Sequence, residues 1–163
     1  MDSHGLIDPW TYRLINLIDL IQEVFRLRKR TQAREYALQI LYQMDITGDP
    51  VGELLQRFWS GISYDPEVRS FATELVKGAS EKLAEIDALI AEYSEHWDID
   101  RMPAIDRSIL RLAAHEILYR ADIPPKATIN EAVEMAHKYS TPDSGKFING
   151  ILDKLMARKR ISV

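Results

Sequence analysis

Neither glycine nor proline occurs between Pro9 and Gly48, so nothing in that span offers the backbone an easy place to turn. Two apolar stripes run along it. Leu14, Leu17, Ile18, Ile21 and Phe25 fall within one arc of about 100° on a helix, and Ala33, Ala37, Ile40, Leu41 and Met44 fall within another. Carried through one unbroken helix, the first stripe lies roughly opposite the second, and one helix cannot bury both against one core. Either the chain breaks near Arg28 to Thr31 and the first segment folds back, or a long helix offers its first stripe to a second copy. The uninterrupted sequence favours the long helix, and with it a homodimer through the N-terminal segment, because an exposed apolar stripe of that size seeks a partner.

The remaining chain also keeps helical period. Leu54, Leu55, Phe58 and Trp59 predict a short helix after Thr47-Gly48-Asp49-Pro50. Apolar positions from Val68 to Tyr93 predict a long one that Gly78 could kink or split. Ile105, Ile109, Leu112, Ala113 and Ile117 follow Pro103, and Asp122-Ile123-Pro124-Pro125 closes that helix. Ile129, Ala132, Val133 and Ala136, then Phe147, Ile148, Ile151 and Leu155, mark two helices separated by Thr141-Pro142-Asp143-Ser144, where Thr141 or Asp143 is placed to cap the second. No strand pattern and no internal repeat is present. The fold class expected is all-α, a compact bundle of about seven helices with an additional N-terminal amphipathic helical extension. The expected division is residues 1–29 as extension with a basic end, 30–158 as the helical domain and 159–163 as tail. Residues 1–9 read as an irregular lead-in, and the basic stretch Lys154 to Arg160 as a frayed helix end.

Composition excludes several functions. With no cysteine there is no disulfide, thiol nucleophile or thiolate metal site. No export signal and no long apolar run occurs, so a cytoplasmic protein without a membrane role is expected; the acidic polar face of the extension, Asp19 and Glu23, also disfavours a lipid surface. His115-Glu116 lacks the second histidine of a zinc protease helix, since Tyr119 stands there, and no phosphate-cradling glycine loop occurs. Asp106 and Asp153 read as salt bridges or caps to a neighbouring loop, and Asn130 and Asn149 as brackets for backbone groups. No catalytic residue, metal ligand or cofactor is expected. A net charge of −4 confines any nucleic-acid contact to a local patch.

One such patch is RLRKRTQAR, residues 26–34, where Arg26, Arg30 and Arg34 would form a ridge on a helix. The residues by themselves favour a solvated basic face. Tyr139, with Lys138 beside it and Asp143 and Lys146 in the following turn, could stack an unpaired base; by itself it reads as a half-buried tyrosine at a helix end.

The segments INEAVEMAHKYSTPDSGKFINGILDK, AIDRSILRLAAHEIL, IPPKATINEA and AREYALQILYQMD together resemble the NusB family of bacterial transcription antitermination factors, over roughly Arg30 to Lys154. The resemblance implies an all-helical, non-enzymatic protein that binds boxA-type RNA of ribosomal RNA leaders with the ribosomal protein NusE, within the transcription elongation complex. It places the family's arginine-rich segment at Arg26, Arg30 and Arg34, an aromatic near the RNA path at Tyr139 with Lys138 and Lys146 beside it, and an acidic partner contact at Asp143. Thr31 and Gln32 depart from this pattern, standing where relatives often carry further arginines. Two other readings compete. A similar helical domain accompanies ribosomal RNA cytosine methyltransferases, which would require a glycine-rich catalytic half, and a purely structural helical dimer would show no salt-sensitive RNA affinity.

Overall fold

Asp8 starts the first helix. In the computed structural model, which describes residues 7–95 and 97–161 and side chains as far as Lys159, its carboxylate accepts the backbone N–H groups of Trp10 and Thr11 at 3.0 Å. Pro9 fills the first helical position, where its missing N–H costs nothing. Helix α1 then runs unbroken from Pro9 to Thr47 and ends at Gly48, whose φ of 71° lets its N–H reach back to the carbonyl of Met44 at 2.9 Å. The long-helix alternative therefore holds, and no break occurs near Arg28 to Thr31. Of the expected lead-in, residues 1–6 lie outside the described residues, while Asp8 and Pro9 are the ordered helix cap.

Six further helices complete the bundle: α2 (Val51–Ser60), α3 (Pro66–Glu81), α4 (Leu83–Tyr93), α5 (Ala104–Tyr119), α6 (Pro125–Tyr139) and α7 (Ser144–Ile161), with one 3-10 turn at Ile99–Arg101. All regular structure among the described residues is helical. Prolines stand in the first turns of α3 and α6, and Asp65 caps α3 by accepting the N–H of Glu67 at 2.8 Å. Helix α5 is the axis: Ile109, Leu110, Leu112, Ala113, Ala114 and Ile117 are buried in succession, and α1, α3, α4, α6 and α7 all pack on it. Its apolar positions meet Ala37, Ile40 and Leu41 of α1, Leu75 and Val76 of α3, and Ile148 and Leu152 of α7 within one core. Tyr36, Phe58, Trp59 and Tyr64 close the α1–α2–α3 end with edge-to-face rings 5.0 to 5.7 Å apart.

The structure departs from the local sequence pattern at two places. The long helix expected from Val68 to Tyr93 divides at Lys82, four residues past Gly78. Gly78 lies within α3 and faces the ring of His115; a Cβ there would overlap that ring. Glycine here makes room for a packed imidazole and leaves the helix unkinked. The C-terminal basic stretch is docked, not frayed, as far as Lys159: Lys154 reaches Glu95 at 3.1 Å, Arg158 reaches Glu92 at 3.0 Å, and the Lys159 ammonium donates to the carbonyl of Ile117.

His115 is buried, and its Nδ1 is left without a hydrogen-bond partner. Burial, followed by the neighbouring Arg120, holds its pKa below the ordinary histidine value, against a smaller opposing pull from Glu81. The unfolded chain therefore takes up the proton first. The neutral ring's contribution to stability is full above about pH 6.5 and is lost as pH falls through the depressed folded value. Denaturation midpoints measured from pH 7.5 to 5.5 should fall for this protein and fall less for His115→Leu; parallel pH profiles would refute the assignment.

Candidate nucleic-acid interface

The basic run of α1 is dealt out around the helix, and only part of it faces solvent. Arg26 is exposed and pairs with Glu23 one turn earlier, while Lys29 is held between Asp65 and Glu67 at 3.3 and 3.2 Å. Arg30 is half-buried, with its guanidinium 4.8 Å from the centroid of Phe71. Arg34 and Arg120 approach the same ring, at 5.7 and 5.4 Å. Arg120 is neutralised by Asp122 and Glu74 at 3.0 and 2.9 Å, and its hydrogen bond holds the Asp122 carboxyl down at about 2. Arg30 has no carboxylate within ion-pair distance among the described residues. Burial first, and then the positive charges of Arg26, Arg34 and Arg120, push its pKa down. A cation in that position gains from an arriving anion more than an already paired one does.

Arg34 corrects the sequence-based ridge. It is 4% exposed, and its guanidinium forks onto the carboxylate of Glu116, which is 1% exposed, with Nε at 3.0 Å from Oε2 and Nη2 at 2.7 Å from Oε1. Thr128 donates a further bond to the same carboxylate at 3.2 Å. The ridge presents Arg26 and Arg30 to solvent, and Arg34 joins α1 to α5 beneath it. A second internal network, absent from the sequence reading, runs through Asp45, which accepts from Arg107 and Arg111 at 2.5 and 2.9 Å, while Arg111 also forks onto Asp87. Burial pushes the Asp45 carboxyl up, and the two arginines more than reverse that, leaving it below the usual range.

The second cluster sits where α6 meets α7. Asp106, buried in the first turn of α5, accepts hydrogen bonds from Ser140 Oγ at 2.5 Å and Ser144 Oγ at 2.8 Å, which brackets the turn between them. Tyr139, 41% exposed, stands at one end of this bracket, and Asp143 and Lys146 are exposed at the other. The Lys138 ammonium lies 5.2 Å from the Tyr139 ring centroid and 2.7 Å from Glu35. Neither Thr141 nor Asp143 caps α7 with its side chain as expected: the carbonyl of Asp143 accepts the N–H of Phe147 at 3.3 Å as the first helical bond, the Thr141 hydroxyl bonds to Ser144 Oγ, and the Asp143 carboxylate has no hydrogen bond among the described residues. Asn149 bonds weakly to Asp153 one turn on in its own helix at 3.5 Å, and Asn130 is exposed.

Trp97 belongs to this region and went unread in the sequence. It is 56% exposed and tilted against Phe147 with centroids 6.0 Å apart, between a cleft shared with Lys146 and Lys154 and another shared with Arg101 and Asp143. A tryptophan in the polar loop SEHWDIDRM was the available signal. The two clusters occupy different flanks of α1. Glu35, which holds Lys138, is five residues beyond Arg30, so the two side chains leave the helix about 140° apart. The structure therefore groups Tyr139, Asp143, Lys146 and Trp97 and keeps Arg26 and Arg30 apart from them.

Such an arrangement defines an all-helical bundle with two basic and aromatic clusters on its surface; among the described residues no group of three or more His, Asp or Glu side chains could hold a metal ion, and no helix is long and apolar enough to cross a membrane. The particular family follows from comparison with known proteins. A model of the NusB family matches residues 31–157, and the chain belongs to that family. The transcription antitermination protein NusB of Desulforapulum autotrophicum is 46% identical over 134 residues, covering 81% of this chain and 94% of that protein. The structure of T. maritima NusB superimposes with a TM-score of 0.73 at 33% identity, over 82% of this chain and 97% of that one. A chain in the crystal structure of the antitermination factors NusB and NusE with double-stranded RNA gives 0.72 at 30% identity, over 80% and 98%. The family is non-enzymatic, and this protein is not an enzyme.

Proposed function

We propose that this protein is a transcription antitermination factor that binds boxA-type single-stranded RNA of ribosomal RNA leaders together with the ribosomal protein NusE, acting in the cytoplasm within the transcription elongation complex. The observation that carries this reading is the family match over residues 31–157, joined to a fold shared with a NusB solved beside NusE and RNA. Arg26 and Arg30 supply phosphate contacts. Tyr139 stacks a base with Lys138 and Lys146 beside it, and Asp143, whose carboxylate is unengaged among the described residues, meets the protein partner. Residues 30–158 form the RNA-binding domain and residues 1–29 an N-terminal extension whose helical part, from Pro9, joins two copies; of the expected tail 159–163, Lys159 to Ile161 continue α7.

A gel-shift titration with a boxA-like single strand, with and without NusE, tests this reading. Binding that NusE strengthens, and that exceeds binding to a duplex of the same sequence, is expected; no shift at low salt under either condition would sink it. Two variants assign the residues. Arg30→Ala should flatten the dependence of log affinity on log salt by roughly one unit, the signature of one lost phosphate contact. Tyr139→Ala should weaken single-stranded RNA binding by about 1 to 3 kcal/mol at unchanged helicity. A slope identical to the parent's would remove Arg30 from the interface, and unchanged affinity would remove Tyr139.

A further inference from the structure

We propose that two copies of this chain pair antiparallel through residues 10–28 of α1, with Trp10 of each copy seated against Val24, Leu27 and Arg28 of the other. The inference rests on the homodimer reading above and specifies its geometry.

The first half of α1 projects from the bundle as a continuous helix with its apolar side in water. Trp10, Leu14, Leu17, Ile18, Ile21, Val24 and Phe25 leave between 41% and 74% of their surface exposed. Together they offer roughly the 800 Å² per partner of a standard stable interface, far more apolar surface than scattered exposed side chains provide. The spacing is that of a helix pair. Trp10, Leu14, Leu17, Ile21, Val24 and Arg28 alternate at four and three residues, the seam of a left-handed coiled coil, and Ile18, Phe25, Leu20 and Leu27 widen it on both sides.

Charge selects the direction. A parallel pair would bring the two Arg28 guanidinium groups, which lie on the seam, together at one end. In the antiparallel register that sets Leu14 opposite Val24 and Leu17 opposite Ile21, the two Arg28 residues lie about 27 Å apart along the axis, beyond the screening length of about 8 Å at physiological salt. The same register places Trp10 against Arg28. Trp10 is 74% exposed, and Val24, Leu27, Arg28, Thr31, Gln32 and Glu35 line a shallow cleft at that level of α1. Projection and cleft sit on one helix, so a two-fold pair fills both clefts at once and leaves no open surface to extend into a fibre. An arginine against the tryptophan face adds a cation–π contact.

The bundle permits this pairing. Helix α6 first flanks α1 at Thr31, which donates to Glu131 at 3.0 Å, and the partner helix begins at Pro9, so the paired span ends where the bundle starts. The dimer also spares the candidate phosphate contacts, since Arg26 and Arg30 leave α1 on the side away from Leu14 and Ile21 by the same 100° count. A lipid surface is the poorer occupant, because the polar face of this segment carries Asp19 and Glu23.

The absence of cysteine makes the test direct. Full-length Leu14→Cys and Val24→Cys chains, mixed and oxidised, should give a covalent dimer in high yield, and neither variant alone should. Ile21→Glu and Trp10→Ala should sediment as monomers at concentrations where the parent is dimeric, with boxA-RNA salt dependence unchanged. Self-cross-linking of each cysteine variant alone would mean a parallel pair and overturn the register while leaving the dimer. A parent that sediments as a monomer would overturn dimer and register together, and so would a monomer that floats with anionic phosphatidylglycerol vesicles. RNA binding is scored separately, so none of these failures is confused with failure of the antitermination reading.

Discussion

Replacing Arg34 with alanine is expected to cost about 3 to 5 kcal/mol of folding stability, the range for removing one member of a buried ion pair. Most of that is the penalty of leaving the Glu116 carboxylate, 1% exposed, without the cation that neutralises it. Thr128 would still donate one bond, and Glu131, 3.9 Å from the same guanidinium, would add to the uncompensated negative charge. Arg34→Lys should recover little, because an ammonium cannot reproduce two parallel N–H donors on one carboxylate. An Arg34→Met, Glu116→Leu double variant should lie near the parent, since desolvating a buried pair offsets much of its attraction. Urea denaturation of the four proteins decides the matter. An Arg34→Ala midpoint equal to the parent's would show that the pair is dispensable, and the double variant being the least stable would show that its Coulombic term dominates.

Arg34 lies beyond what its neighbours in sequence specify, because its partner Glu116 stands 82 residues away. The helices were legible because their ends are local: Gly48 after Thr47, Pro66 after Asp65, Pro103 before α5 and Pro124-Pro125 at the start of α6 each act within a turn of their own position. The long first helix followed from an absence, the lack of any residue between Pro9 and Gly48 that breaks a helix easily. Side chains whose partners are distant in sequence were not legible. Periodicity put Arg34 on a ridge with Arg26 and Arg30, and nothing near it announced Glu116 in another helix. Gly78 looked like a kink, and its actual reason, the ring of His115, also belongs to another helix. Nothing in the residues around Lys82 marks it as the place where α3 ends. At the α6–α7 turn the sequence offered Tyr139, Asp143 and Lys146 as neighbours, and their shared exposure could be guessed, but the support beneath them could be stated only as a cap or salt bridge from Asp106 to some neighbouring loop. Trp97 was passed over because one aromatic in a loop has no period to betray it.

Asp106→Ala should lower stability by about 3 kcal/mol, taking roughly 1.5 kcal/mol for each hydrogen bond to a charged acceptor. Its carboxylate is 4% exposed, lies in the first turn of α5 where the helix dipole favours negative charge, and takes both Ser140 Oγ and Ser144 Oγ. Alanine would leave those two hydroxyls to each other at 3.0 Å and to Thr141 at 2.9 Å from Ser144, a neutral arrangement with no charge to anchor it. The consequence reaches the surface, because Ser140 directly follows Tyr139 and Ser144 directly follows Asp143. Loosening the bracket gives both exposed side chains more conformations to lose on binding. RNA and NusE affinity should therefore fall in Asp106→Ala even under conditions where it is fully folded, and Asp106→Asn, which keeps one acceptor oxygen, should recover part of both losses. Asp143→Ala is the matched control. Its carboxylate holds nothing among the described residues, so stability should stay within about 0.5 kcal/mol of the parent while NusE affinity drops. If Asp106→Ala melts like the parent, the turn is held by its own backbone and the bracket is incidental; if it is destabilised but binds RNA and NusE normally once folded, Asp106 supports the fold without ordering the site.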